Sequence, residues 1–136
     1  MKMNNRKYLP TLAELIDRLS IAQLKEVKIP EHKEEYASEI SDIVHDIQLC
    51  LNEQSGIVTS EVIRAIVVLS QMNAHIWHNE SAVRAGTAGP SNLALTHGIN
   101  GIRNTAKNKI QEIVGGRKDY KIDCLAADFK DWEISW

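Results

Sequence analysis

The chain is poor in the residues that usually announce a chemistry. It has a single phenylalanine among only seven aromatic residues, two cysteines and three prolines in 136 positions. Cys50 and Cys124 form no C-x-x-C and no zinc-ligand spacing, so neither a disulfide framework nor a structural zinc site is indicated. There is no G-x-S-x-G, no phosphate-cradling glycine loop and no dinucleotide fingerprint. Apolar runs are short, the longest lying around Ala65–Leu69, and none is long enough to span a bilayer. Met1 to Arg6 contains no apolar core of a signal peptide. A cytoplasmic protein with reduced thiols is the expectation. The charge is nearly balanced, 16 basic against 18 acidic residues, net −2, which argues against non-specific nucleic-acid binding.

What is present is ordinary globular material: 43% hydrophobic and 25% charged residues, enough for one core and one domain spanning 1–136. Thr11 precedes Glu14 by three residues, the reciprocal pattern that opens a helix. Leu12, Leu15, Ile16, Leu19 and Leu24 follow at helical spacing until Val27, and Pro30 breaks the run. A second helix is predicted from Glu31 or His32, with Tyr36, Ile40, Ile43, Val44, Ile47, Cys50 and Leu51 on its apolar side. Thr59 or Ser60 caps a third, whose Val62, Ile66, Leu69, Ile76 and Trp77 face inward and which stops at Gly86. After a loop from Gly86 to Asn92, a fourth helix runs from Leu93 to Val114 with Leu95, Ile99, Ile102, Ala106, Ile110 and Ile113 on one side. Gly98 and Gly101 inside it suggest close approach of a neighbour or a ligand. The tail from residue 117 onward holds Tyr120, Phe129, Trp132 and Trp136 and is expected to pack on the helices or on a second subunit. The fold class is therefore all-α, a four-helix-bundle-like domain with an aromatic tail.

Four constellations bear on function. Glu35, Glu39, Asp42 and Asp46 share one face of the second helix, a stripe that suits Mg²⁺ in a nucleotide phosphohydrolase or is simply a solvated face. His32, the His45–Asp46 pair and a distant Asp119 or Asp123 could imitate the metal site of HD phosphohydrolases, against the plainer reading of surface histidines. Asn73, Trp77, Glu80 and Arg84 extend the apolar stripe of the third helix into a polar end. Two readings compete there: a ligand pocket, or a structural network in which Asn73 bonds across the bundle and Glu80 pairs with Arg84. Thr96, Asn100, Arg103 and Lys107 form a locally positive face of the fourth helix, suited to an anion or else solvated. Cys50 falls on an apolar face and reads as core.

Three segments carry a resemblance: Thr11–Lys25 (TLAELIDRLSIAQLK), Asn73–Arg84 (NAHIWHNESAVR) and Ile99–Ile110 (INGIRNTAKNKI). They resemble, in the same order, an uncharacterised all-helical family encoded near bacterial glycan and nucleotide-sugar genes. The chain is also similar in general character to small helical proteins of phage genomes. The resemblance implies a shared helical scaffold and a shared polar pocket, and no reaction.

Together these features lead to an expectation of a non-catalytic protein that binds an anionic nucleotide or nucleotide-sugar between the third and fourth helices. Arg84, Arg103 and Lys107 would hold the charge, Asn73, Glu80, Asn100 and Thr96 would supply polar contacts, and Trp77 would stack. A phage sponge that sequesters a host nucleotide signal is one concrete form. The alternatives are a Mg²⁺-dependent phosphohydrolase on the second-helix stripe and a structural oligomeric adaptor. A homo-oligomer is expected, with no membrane and no nucleic-acid partner. Arg103 is expected to be an exposed patch residue whose removal spares the fold.

Overall fold

The structure is a computed structural model that describes residues 9–54, 56–87, 89, 92–114 and 135–136, with backbone only at 92–94. It is an all-α domain of four helices: α1 (Leu12–Lys28), α2 (Lys33–Glu53), α3 (Ser60–Arg84) and α4 (Asn92–Val114). Tyr120, Phe129, Trp132, Cys124, Asp119 and Asp123 lie outside the described residues.

Local chemistry sets the helix ends. The Thr11 hydroxyl accepts from Glu14 N (3.2 Å) while Thr11 N donates to Glu14 Oε1 (2.9 Å), so two otherwise orphaned groups at the start of α1 satisfy each other. Ile29 and a single 3-10 turn at Pro30–His32 reverse the chain into α2. Thr59 caps α3 by accepting from Val62 N at 3.2 Å. At the other end Gly86 adopts φ of 73°, and Thr87 N reaches Ala82 O (2.9 Å) while Gly86 N reaches Val83 O (3.1 Å). That paired closure needs a left-handed residue, which glycine supplies without a Cβ penalty.

The helices form two hairpins, α1–α2 and α3–α4, and α1 is the element that joins them, since it packs against α2, α3 and α4. The main core lies between α1, α3 and α4, centred on Leu69, Ile99 and Ile110. Ala13, Ala65 and Ala106, one from each helix, are 0% exposed. Such small residues let three backbones converge, and a stripe drawn through large apolar residues alone passes over them. A second, smaller core of Leu15, Ala22 and Ile43 joins α1 to α2. No backbone contact links α2 to α3 or α4, although Ile47, Cys50 and Leu51 near its end reach the main core. Val44, expected on the inward side of α2, is 48% exposed because nothing beyond α1 covers that flank among the described elements.

By contrast α4 is covered on nearly every side: between residues 95 and 114 only His97 and Glu112 are exposed. Gly98 is buried and Gly101 half-buried. None of the described helices is long and apolar enough to cross a membrane.

Candidate functional site: a closed polar cluster

At the junction of α1, α3 and α4 sits a polar cluster inside the apolar core. Asp17, 7% exposed, and Asn73, 5% exposed, meet the guanidinium of Arg103. The Asn73 Nδ2 amide donates to Asp17 Oδ1 (2.8 Å) and to Ser20 Oγ (3.3 Å). Arg103 Nε donates to Asn73 Oδ1 (2.8 Å), its Nη2 donates to Asp17 Oδ2, and its Nη1 donates to Asn104 Oδ1 (2.9 Å). Every pair in the ring Asp17–Asn73–Arg103 is thus bonded. Asn73 has used its oxygen and both amide hydrogens, and each of the three Arg103 nitrogens donates one bond.

Helix spacing explains the arrangement. Asp17 lies one turn after Ala13 and one turn before Ser20, on the side of α1 that meets the other hairpin. Asn73 continues the buried face of Leu69, and Arg103 lies one turn before Ala106 on α4. A carboxylate is costly to bury alone. Here both oxygens are met, one by a cation and one by an amide, which is the arrangement that makes a buried pair tolerable.

The sequence expectation of a polar set facing another element therefore holds for Asn73, which bonds across the bundle. Glu80 and Arg84 are exposed on the last turns of α3 and form no ion pair with each other. Trp77 is half-buried. On α4, Thr96, Asn100 and Lys107 are half-buried rather than part of a solvated face. Arg103 is not the exposed patch residue that its spacing suggests: its side chain is 19% exposed and holds Asp17. Asp17 was missed. The available signal was a carboxylate within the helical series Ala13, Asp17, Ser20, Leu24, which is small or apolar at every other position.

Two further amides are buried with one atom each unpaired: Asn79 Nδ2 and Gln111 Oε1. The α2 carboxylates Glu35, Glu39, Asp42 and Asp46 are all exposed. Glu35 bonds to His32 (3.1 Å), and His45 bonds to Asp46 (3.2 Å). His32 and His45 are separated by thirteen residues of helix, roughly 20 Å of rise, so they do not converge. Among the described residues, no group of three or more His, Cys, Asp or Glu is placed to hold a metal ion. The Cys50 thiol is pushed above its ordinary value, first by burial and then by Glu53 and Asp46, which keeps it protonated and poorly nucleophilic.

Outside the closed cluster, the described residues form a further concavity. A groove of about 270 Å³ runs between α1 and α3, lined by Ser20, Gln23, Leu24, Val27, Lys28 and Ser70. Its apolar surface continues along α3. Val67 and Ile63 lie one and two turns before Ser70 on the same side, 49% and 53% exposed, and Val27 is 68% exposed.

Compared with known proteins, the chain matches no family model, no curated protein and no solved structure.

Proposed function

We propose that this protein acts by non-covalent association, as a helical module that pairs with a second copy of itself through the α1–α3 face. The observation that carries the reading is the exposure of Val27, Ile63 and Val67 around the groove, while the polar groups best placed for chemistry satisfy one another in the core. Scattered exposed apolar residues are normal, but a contiguous strip beside a concavity is the pattern of an interaction surface. The choice of partner follows from charge. A two-fold interface places each residue near its own counterpart or a close neighbour, so a patch carrying one sign of charge repels itself. The face is almost neutral: Lys28 is the one charged residue lining the groove. The carboxylate side of α2 would fail that requirement. A net charge of −2 adds little long-range repulsion between copies.

Light scattering across the micromolar range tests this. The reading predicts a particle of twice 15.3 kDa that falls to the single-chain mass in the double variant Ile63→Asp, Val67→Asp, with an unchanged helical spectrum. A single-chain particle at every concentration up to about 100 µM contradicts it, since a specific pair at that concentration needs only about −5.5 kcal/mol.

A second reading is supported by one observation. Lys107 is half-buried on the same side of α4 as Thr96 and Asn100, and has no partner among the described residues. An anionic small molecule of the nucleotide class, sequestered rather than converted, would suit that cation, with Trp77, Glu80 and Arg84 of α3 as further candidate contacts and Arg103 and Asn73 held back by Asp17. A thermal-shift screen with nucleotides and nucleotide-sugars, repeated on Lys107→Ala, separates the readings. Saturation at 100 times Kd adds about 2.7 kcal/mol of stability. A shift lost in the variant favours the anion site, and no shift with any ligand removes it.

A further inference from the structure

The far end of the described chain is anchored on the α3–α4 hairpin by two cations. The Arg64 guanidinium of α3 donates to the Ser135 backbone oxygen through Nη1 and to the Ser135 hydroxyl through Nη2 (3.1 Å). The same guanidinium lies 5.6 Å from the centre of the Trp136 ring, and Lys109 Nζ of α4 lies 5.8 Å from it. A ring held by two cations has its negative π-face matched twice. Neither cation has a carboxylate partner among the described ion pairs, although the chain carries more acid than base. Trp136 remains 40% exposed, so the contact is a surface one and can open without disturbing the core.

We propose that Arg64 and Lys109 form a docking site for an aromatic side chain, occupied in cis by Trp136, that accepts an aromatic-bearing peptide segment in trans once Trp136 is withdrawn. The recognition chemistry has two parts. The two cations take the ring, and the guanidinium edge takes a backbone carbonyl and a hydroxyl one residue earlier. The ligand class is therefore a short segment with an aromatic residue preceded by a small hydroxyl residue. The cis occupant has the advantage of tethering. Trp136 and Arg64 belong to one chain, so the cis contact is intramolecular and its effective concentration is set by the chain that joins them. A trans peptide must exceed that value to compete, so Trp136 acts as a built-in competitor. The site is distinct from the α1–α3 groove, and its fate does not depend on whether the chain pairs there.

The test uses the acetylated and amidated peptide Glu-Ile-Ser-Trp, the sequence of residues 133–136, titrated into isotope-labelled protein and followed by the amide and side-chain signals of Arg64 and Lys109. The full chain should bind it at least about tenfold more weakly than the Trp136→Ala chain, in which the ring position over the two cations is vacated. Adding Arg64→Ala to Trp136→Ala should weaken binding about tenfold again, and adding Lys109→Ala about threefold, in line with the unequal number of contacts. The peptide ending in alanine should not bind. Equal binding by the full chain and the Trp136→Ala chain overturns the proposal. So does the absence of binding to the Trp136→Ala chain, or binding indifferent to Arg64→Ala. Circular dichroism on each variant establishes that the helices are retained, which surface positions such as 64 and 136 should allow.

Discussion

Helices α2 and α4 have similar lengths, 21 and 23 residues, and both show an apolar stripe at helical spacing, yet their positions in the molecule are opposite. Among its side chains α2 buries only Ile43, whereas α4 is enclosed along almost its whole length. The apolar stripes do not foretell this difference; the polar residues do. The polar positions of α2 carry Glu34, Glu35, Glu39, Asp42, Asp46 and Glu53, groups whose burial is prohibitive without a cation. Those of α4 carry the amides Asn100, Asn104, Asn108 and Gln111 and the cations Arg103, Lys107 and Lys109, with Glu112 as its sole acid. Burying a neutral amide costs far less than burying a carboxylate, and Asn108 and Gln111 are 4% and 6% exposed. An amide-rich polar side allows a helix several neighbours, while a carboxylate-rich one limits it to the neighbour on its apolar side.

The contrast is most sharply tested by changing two carboxylates, Asp17 of α1, which holds Arg103 of α4, and Asp46 of α2. Asp17→Ala leaves the Arg103 cation buried without its counter-ion and should cost about 3–5 kcal/mol. Asp46→Ala on α2, where the partner is an exposed histidine, should change stability by less than about 0.5 kcal/mol. Denaturant midpoints at fixed slope measure both. Comparable losses at the two positions would mean that Asp46 of α2 is as enclosed as the Asp17–Arg103 pair at the α1–α4 contact.

Apolar truncations should follow the same division. Leu69→Ala, at a position 0% exposed between α1 and α4, should lose about 2–5 kcal/mol. Val44→Ala on α2, nearly half exposed, should lose less than about 0.5 kcal/mol. Equal effects would place an unseen neighbour over Val44.

How much of this was legible in the sequence depends on which residues carry the information. The helix ends were legible because they are written in local chemistry: Thr11 with Glu14, Pro30, Thr59 and Gly86 act within a turn of themselves. The four-helix, all-α architecture followed from periodicity. The partition of the helices did not, because it depends on alanines at 13, 65 and 106, which carry little hydrophobic signal yet decide where backbones meet. The polar cluster was half legible. Asn73 and Arg103 stood out by their spacing on α3 and α4, and a cross-bundle role for Asn73 was one of two open readings. Asp17 was hidden, because pairing across 56 and 86 positions leaves no trace in a local pattern. Without Asp17, Arg103 looked like a free cation.

Hydrogen exchange should show the division in dynamics. A helix fixed by one neighbour opens at lower cost than one enclosed by several. Amides near Ile43 should exchange at least about tenfold faster than those near Ile110, a difference of about 1.4 kcal/mol in opening free energy. Uniform protection across α2 and α4 would mean a single cooperative unit. A comparable effect is expected at the α3 terminus. Gly86→Ala meets open space around its new Cβ but keeps a φ of 73°, so strain alone acts, costing about 1–2 kcal/mol in the thermal midpoint analysis.

Arg103 is committed to Asp17 inside the fold and is not waiting for a ligand. A double-mutant cycle on unfolding free energy, Asp17→Ala against Arg103→Ala, measures that commitment directly. Each single variant should be destabilised by about 3–5 kcal/mol, and the double variant should lose less than the sum by a coupling of about 1.5–3 kcal/mol. Additive losses, or an Arg103→Ala chain as stable as the parent, would show that the guanidinium is free and would return Arg103 to the anion-binding reading.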